Sequence, residues 1–133
     1  MSKVKDLSGK THSWNLVGYS VDKNSSTPKS NPHKLARELL KNEFPTDPIL
    51  EEVPLPGEHL FFDFYLPRRK LAIEVHGEQH FKFIQHFHGD KAGFLRAKAN
   101  DQRKISWCEL NSIKIIILKD TESQDEWRNR IRS

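Results

Sequence analysis

A chain of 133 residues, 35% hydrophobic and 30% charged, is long enough for one core and too polar for a large one. No apolar run approaches a membrane span, the N-terminus lacks the apolar stretch of a signal peptide, and the single cysteine, Cys108, excludes an intrachain disulfide or a multi-cysteine zinc site. An intracellular, cytoplasmic protein with no membrane partner is expected, and the net charge of +4 with a pI near 9.2 permits a nucleic-acid partner.

The positive charge is local. Residues 1–31 carry five lysines against two aspartates, and residues 91–104 carry Lys91, Arg96, Lys98, Arg103 and Lys104 against Asp101 alone. Residues 1–30 read as a basic N-terminal arm or small appendage with a linker, and residues 31–133 as the main domain. Within the arm, residues 7–20 are compatible with a small hairpin, and 22–31 have linker composition. A helix then starts at Asn31 and Pro32, presents Leu35, Ala36, Leu39 and Leu40 on one face, and ends before Pro45. Ile49 to Leu55 is expected to form a strand, closed by Pro54 and Pro56.

The centre of the chain is the stretch from Phe61 to His80. Two runs rich in β-branched and aromatic residues flank Pro67 to Lys70, the pattern of a β-hairpin with a short loop. Either choice of loop sets Leu66 across from Leu71 and Asp63 across from Glu74. Opposed carboxylates on one face repel, unless a divalent cation with a preference for oxygen ligands sits between them. His76 shares their parity, and Gly77 lets the chain turn so that His80 returns over the carboxylates. The segment 81–89, with Phe81, Phe83, His86, Phe87 and His88, reads as an ordered loop or broken helix with surface histidines.

A helix over about Ala92 to Leu110 places Phe94, Ala97, Ile105 and Cys108 on one face, with Asp101 in its middle. An unpaired carboxylate on a buried stripe costs several kcal/mol, so Asp101 is expected to face a polar site, flanked by Lys98 and Lys104. Ile113 to Leu118 reads as a largely buried strand and Gln124 to Arg132 as a closing helix. Two carboxylates suit Mg²⁺. A histidine titrating near neutrality suits the proton of an attacking water, and Asp101 would orient it. Together with a basic rim these groups describe phosphodiester hydrolysis.

At these residues the chain resembles a known family. Asp63 followed by Ile73-Glu74-Val75-His76 is similar to the Asp…(Asp/Glu)-x-Lys core of the PD-(D/E)XK nucleases, with His76 in the place of the lysine. His76-Gly77-Glu78-Gln79-His80 with Asp101-Gln102-Arg103-Lys104 resembles the very-short-patch repair and EDxHD homing endonucleases, over roughly residues 30–120. The resemblance implies Asp63, His80 and Asp101 as site residues, with Glu74 at the variable position. For the family's first-helix glutamate, Glu38 and Glu43 are both offset candidates, and His33 also falls near the expected place. One cysteine cannot build the zinc site of the patch-repair enzymes, which favours the homing-type comparison.

The expectation is therefore an α/β, restriction-endonuclease-like fold, a mixed sheet flanked by helices. Its function would be that of a Mg²⁺-dependent (or Mn²⁺-dependent) DNA endonuclease of homing or patch-repair type. Asp63 and Glu74 would hold the metal with the Val75 carbonyl, His80 would transfer the proton, and His76 would support the site from its strand. Arg68, Arg69, Lys98, Arg103 and Lys104 are the expected phosphate contacts, and double-strand cleavage would call for a homodimer. The competing readings are a non-catalytic DNA-binding module on the same scaffold and a ribonuclease of the same fold.

Overall fold

The computed structural model describes residues 2–22, 31–77 and 91–133. Its elements are β1 (Ser2–Lys5), β2 (Thr11–Trp14), α1 (Asn31–Glu43), β3 (Leu50–Leu55), β4 (Leu60–Leu66), β5 (Leu71–His76), α2 (Lys91–Leu110), β6 (Lys114–Lys119) and α3 (Gln124–Arg132). Strands β3, β4, β5 and β6 form one sheet in that order, antiparallel except for the parallel β5–β6 pair, while β1 and β2 form a separate antiparallel hairpin. The α/β class, with a mixed sheet flanked by helices, is as expected.

Register in the central hairpin follows the sequence. Leu66 pairs with Leu71 and Phe64 with Ile73, which brings Glu74 level with Asp63. Both hairpin strands are interior to the sheet, and Leu71 to Glu74 of β5 are buried without alternation, as a strand covered on both faces requires. On one face α1 and α3 close over Phe64, Leu66, Ile73, Ile116 and Leu118, with Trp127 and Ile131 supplied by α3. On the other face Trp107 and Cys108 of α2 meet Phe62, Tyr65 and Ala72. No helix among the described residues is long and apolar enough to cross a membrane.

Residues 2–22, expected as an arm or appendage, pack against this second face. Trp14 is 3% exposed, its ring lies 4.7 Å from that of Tyr65 and 5.2 Å from that of Trp107, and its Nε1 donates to the Pro54 carbonyl at 2.9 Å. The β1–β2 turn docks closely enough that a Cβ on Gly57 would lie 2.7 Å from Asp6. Trp14→Ala is therefore expected to destabilise the protein by about 3 kcal/mol, measured by urea unfolding. A loss below about 0.5 kcal/mol would return the hairpin to the status of a loose arm. The linker expected at 22–31 and the loop expected at 81–89 lie largely outside the described residues.

Two helix faces differ from expectation. On α1 the buried residues are His33, Ala36, Arg37, Leu39 and Leu40, whereas Leu35 is 44% exposed. Polar groups displace Leu35 because a buried acid beneath the helix demands partners. On α2 only Trp107 and Cys108 are fully buried, and Phe94, Ala97, Asp101 and Ile105 are half-buried. The helix is anchored by its last turns, and its middle borders an open cleft.

Candidate functional site

The cleft has a volume of about 360 Å³ and is lined by Glu52, Asp63, Asp101 and Lys104, with His59 and the half-exposed Phe61 among the residues of the β4 side. Its floor is a place where two strands change face together. Glu51 turns toward α1, but Val53 joins the cluster around Trp107 on the opposite face; Phe64 and Phe62 of β4 divide in the same way. The register is unbroken, since Glu51 pairs with Phe64 and Val53 with Phe62, which puts Glu52 level with Asp63. Glu52 makes the change with φ of 54°, a left-handed conformation that is uncommon for a non-glycine residue and costs about 1 kcal/mol or more.

Three strands thus bring Glu52, Asp63 and Glu74 to one level. His33 comes down from α1, and one donor atom from each of His33, Glu52 and Asp63 lies within 4.8 Å of the others. This is a set of two carboxylates and one imidazole, a chemistry that divalent cations accept. The set is displaced by one strand from the expected pair. Glu74 accepts from the Asp63 amide at 2.8 Å and from Lys104 Nζ at 2.5 Å, and Asp63 accepts from the Val75 amide at 2.8 Å. Each of those oxygens keeps a second lone pair, so Asp63 can belong to both groups.

Electrostatics follow from this crowding. Burial, joined by the neighbouring Glu74 charge, pushes the Asp63 carboxyl up to about 7, against the opposing effects of the Val75 amide, Lys104 and His33. Burial also raises Glu74, and its Lys104 partner acts the other way. Burial alone would lower Lys104, but the attraction of Glu74, Asp63 and Asp101 outweighs it and the ammonium is held above its ordinary value. The pair Lys104–Glu74 is nearly enclosed, with side chains 17% and 2% exposed. Cys108, buried beneath it, is pushed up to about 12 by desolvation and is an inert thiol.

The remaining expected residues fall as follows. Asp101 Oδ1 lies 3.7 Å from Nε2 of His76, which is 4% exposed, so the carboxylate expected beside His80 stands beside His76. His80 lies outside the described residues, and so does its relation to Asp101. Glu38 is exposed on α1, and Glu43 binds Arg128 and Arg132 on the surface; neither is among the groups around Asp63. Of the expected phosphate contacts, Lys104 is given to Glu74, Arg103 to Glu58 at 2.8 Å, and Arg69 to Asp47 at 2.7 Å and the Phe44 ring. Arg68 and Lys98 are exposed. Arg68 and Arg69 also sit in the turn before β5, at the opposite end of that strand from His76.

Sequence reasoning passed over Glu52, Glu51 and Arg37. Glu51 is fully buried and accepts from Arg37 at 2.8 and 3.1 Å and from His33 Nε2. The available signal was two consecutive glutamates inside an otherwise apolar strand, whose pairing across the Pro56-Gly57 turn reaches Asp63.

Fold and site together define an α/β protein with a histidine–carboxylate cleft where two paired strands change face. The chain is similar to two viral proteins: it is 40% identical over 58 residues to the uncharacterized protein 307L of Invertebrate iridescent virus 6, and 30% identical over 63 residues to the uncharacterized protein 033L of Invertebrate iridescent virus 3. The matches cover 44% and 47% of this chain and only 29% and 32% of those relatives, so the shared segment spans about a third of their length. No family model and no solved structure matches.

Proposed function

We propose that the chain is a divalent-cation-dependent nuclease that hydrolyses phosphodiester bonds in DNA, in the manner of the PD-(D/E)XK enzymes it resembles. The observation that carries the reading is the convergence of His33, Glu52 and Asp63 within 4.8 Å, beside the buried Glu74–Lys104 pair. Asp63 is raised by burial first and by the neighbouring Glu74 charge second, and a cation at the site would relieve both. A cation held by His33, Glu52 and Asp63 would acidify a water and polarise a phosphate oxygen.

The chain's own residues supply the rest. Lys104 keeps a charged ammonium at the cleft and takes over from α2 the role of the lysine that the β5 motif lacks: a positive charge for the scissile phosphate. His80 remains the residue assigned to proton transfer. Asp101 Oδ1 stands 3.7 Å from Nε2 of His76, longer than a hydrogen bond. His76 is assigned a supporting role from its strand. Exposed Lys98, on the helix that borders the cleft, is the cation best placed to follow a DNA backbone.

The test is nicking of supercoiled plasmid by the purified protein with Mg²⁺ or Mn²⁺, against an EDTA control and a structured RNA. Metal-dependent nicking of DNA is the expected result. Salt-sensitive binding with no cleavage under either ion would favour the DNA-binding module, and cleavage confined to RNA would favour the ribonuclease.

A further inference from the structure

Docking against the fold leaves the β1–β2 hairpin with one face in solvent. The register pairs Lys3 with Ser13 and Lys5 with Thr11, and these four exposed residues share the side of the ribbon away from buried Val4 and Trp14. That face presents two ammonium groups and two small hydroxyls, and Lys10 in the turn adds a further exposed cation. The one acid of the hairpin, Asp6, is 6% exposed and turned inward. There it accepts from the Ser8 hydroxyl at 2.6 Å, from His12 Nε2 at 2.7 Å and from the Ser8 and Lys10 amides. The charge on the outward face is thus entirely positive.

The ribbon is also held more firmly than a two-stranded hairpin holds itself in water. Trp14 anchors it from behind. Asn111 grips the outer edge of β1, accepting from the Lys5 amide at 2.8 Å and donating to the Lys5 carbonyl at 2.9 Å. Glu58 accepts from the Leu7 amide at 2.7 Å and from Arg103 of α2 at 2.8 Å, and the next residue, His59, lines the cleft. The turn of the ribbon is thereby tied to the cleft wall, and a platform fixed in this way has little ordering left to lose on binding.

We propose that this ribbon enters the major groove of duplex DNA and makes B-form duplex the substrate of the cleft. The groove, roughly 12 Å wide, admits a two-stranded ribbon; lysine donates to guanine O6 and N7 there, and serine or threonine hydroxyls serve either kind of base edge. Small hydroxyls between the lysines leave the ribbon slim enough to approach. The deep, narrow major groove of an A-form RNA helix excludes it, and a single strand offers no groove. This rests on the DNA-cleaving reading and adds the form of the nucleic acid and the element that recognises it.

The experiment separates binding from cleavage. In EDTA, the whole chain is titrated by fluorescence anisotropy against short randomised DNA duplexes, the same DNA as single strands, and an RNA duplex. A further DNA duplex carries glucosylated 5-hydroxymethylcytosine, which fills the major groove and leaves the phosphates unchanged. Plain duplex DNA is expected to bind about 10-fold tighter or more than each of the other three. Lys3→Ala/Lys5→Ala should weaken plain duplex binding about 10–100-fold, bind plain and glucosylated duplex alike, and keep the wild-type urea midpoint, since both side chains are exposed. If the variant is unstable, the wild-type comparison with the glucosylated duplex decides. Plasmid nicking with Mn²⁺ is scored in parallel. Equal wild-type binding to plain and glucosylated duplex, a preference for single strands or RNA, or undiminished binding by the variant overturns the ribbon, and DNA nicking alongside any of these leaves the nuclease standing. Ribbon-dependent duplex binding without nicking supports the ribbon and overturns the nuclease. Neither binding nor nicking overturns both.

Discussion

Asp63→Asn is expected to reduce nicking on the order of 10³-fold and, without a divalent ion, to leave the protein more stable than wild type. The first effect follows from Asp63 standing between the His33–Glu52 group and the Glu74–Lys104 pair. The second follows from its carboxyl being raised from 3.8 to about 7 by burial and by Glu74. Between those values the native state holds a proton that the unfolded state has released, so stability falls as pH rises through this window. Below about pH 4 the acid is protonated in both states, and wild type and variant should match. Above about pH 7 the full penalty is present in the wild type and absent in the variant, a difference of about 2–4 kcal/mol at most. The asparagine retains an oxygen for the Val75 amide, so packing is conserved. Urea unfolding in EDTA from pH 4 to pH 9 reads the difference. Adding Mn²⁺ should stabilise the wild type and leave Asp63→Asn unmoved. A variant less stable than wild type at pH 8 would remove the case for a strained apo carboxylate, and normal nicking would remove Asp63 from the site.

Lys104→Met is expected to be among the most destabilising single changes at the site. It leaves Glu74, 2% exposed, without its cation, and breaking one side of a buried pair costs about 3–5 kcal/mol. The pH dependence has the same sign. Glu74 is already raised from 4.5 in the native state by burial, and losing Lys104 raises it further. The penalty is therefore full at alkaline pH, shrinks as pH falls through the raised native value, and vanishes once the acid is protonated in both states. Lys104→Met/Glu74→Gln should recover most of the stability, because the uncompensated charge is gone, yet should not recover nicking. Cleavage should fall about 10²–10³-fold in both variants if the ammonium faces the phosphate. Full activity in the double variant would make the pair structural only.

Much of the frame was legible because it depends on neighbours in sequence. The central hairpin needed only two β-rich runs and a turn between them, and Leu66 opposite Leu71 follows from any symmetric loop. Helix α3 begins where Ser123 caps it by accepting from the Glu126 amide, a local signal that makes its start readable. Asp101 on an inward arc of α2 was likewise readable from the helical period, and it does border the cleft.

Which face each residue takes was a matter for the tertiary structure. Local pattern on α1 favours Leu35 over His33 for the core, yet the buried Glu51 beneath the helix draws His33 and Arg37 inward and leaves Leu35 in solvent. Period-two alternation predicts that Glu51 and Val53 share a face, but the left-handed backbone at Glu52 separates them and aims Glu52 at Asp63. Lys104 reads from its helix as one of a basic run; it is the enclosed Glu74 across the fold that turns it from a solvated cation into a partner of the site. By itself the sequence determined the four strands of the main sheet, the register that sets Asp63 level with Glu74, and Asp101 on the inward arc of its helix, since those follow from local pattern; the N-terminal hairpin, expected within residues 7–20, is instead built from Ser2–Lys5 and Thr11–Trp14. Only the packed structure decided that His33 and Glu52 join Asp63 and that Lys104 pairs with Glu74, because burial makes an unpartnered charge costly enough to choose its neighbours across the whole chain.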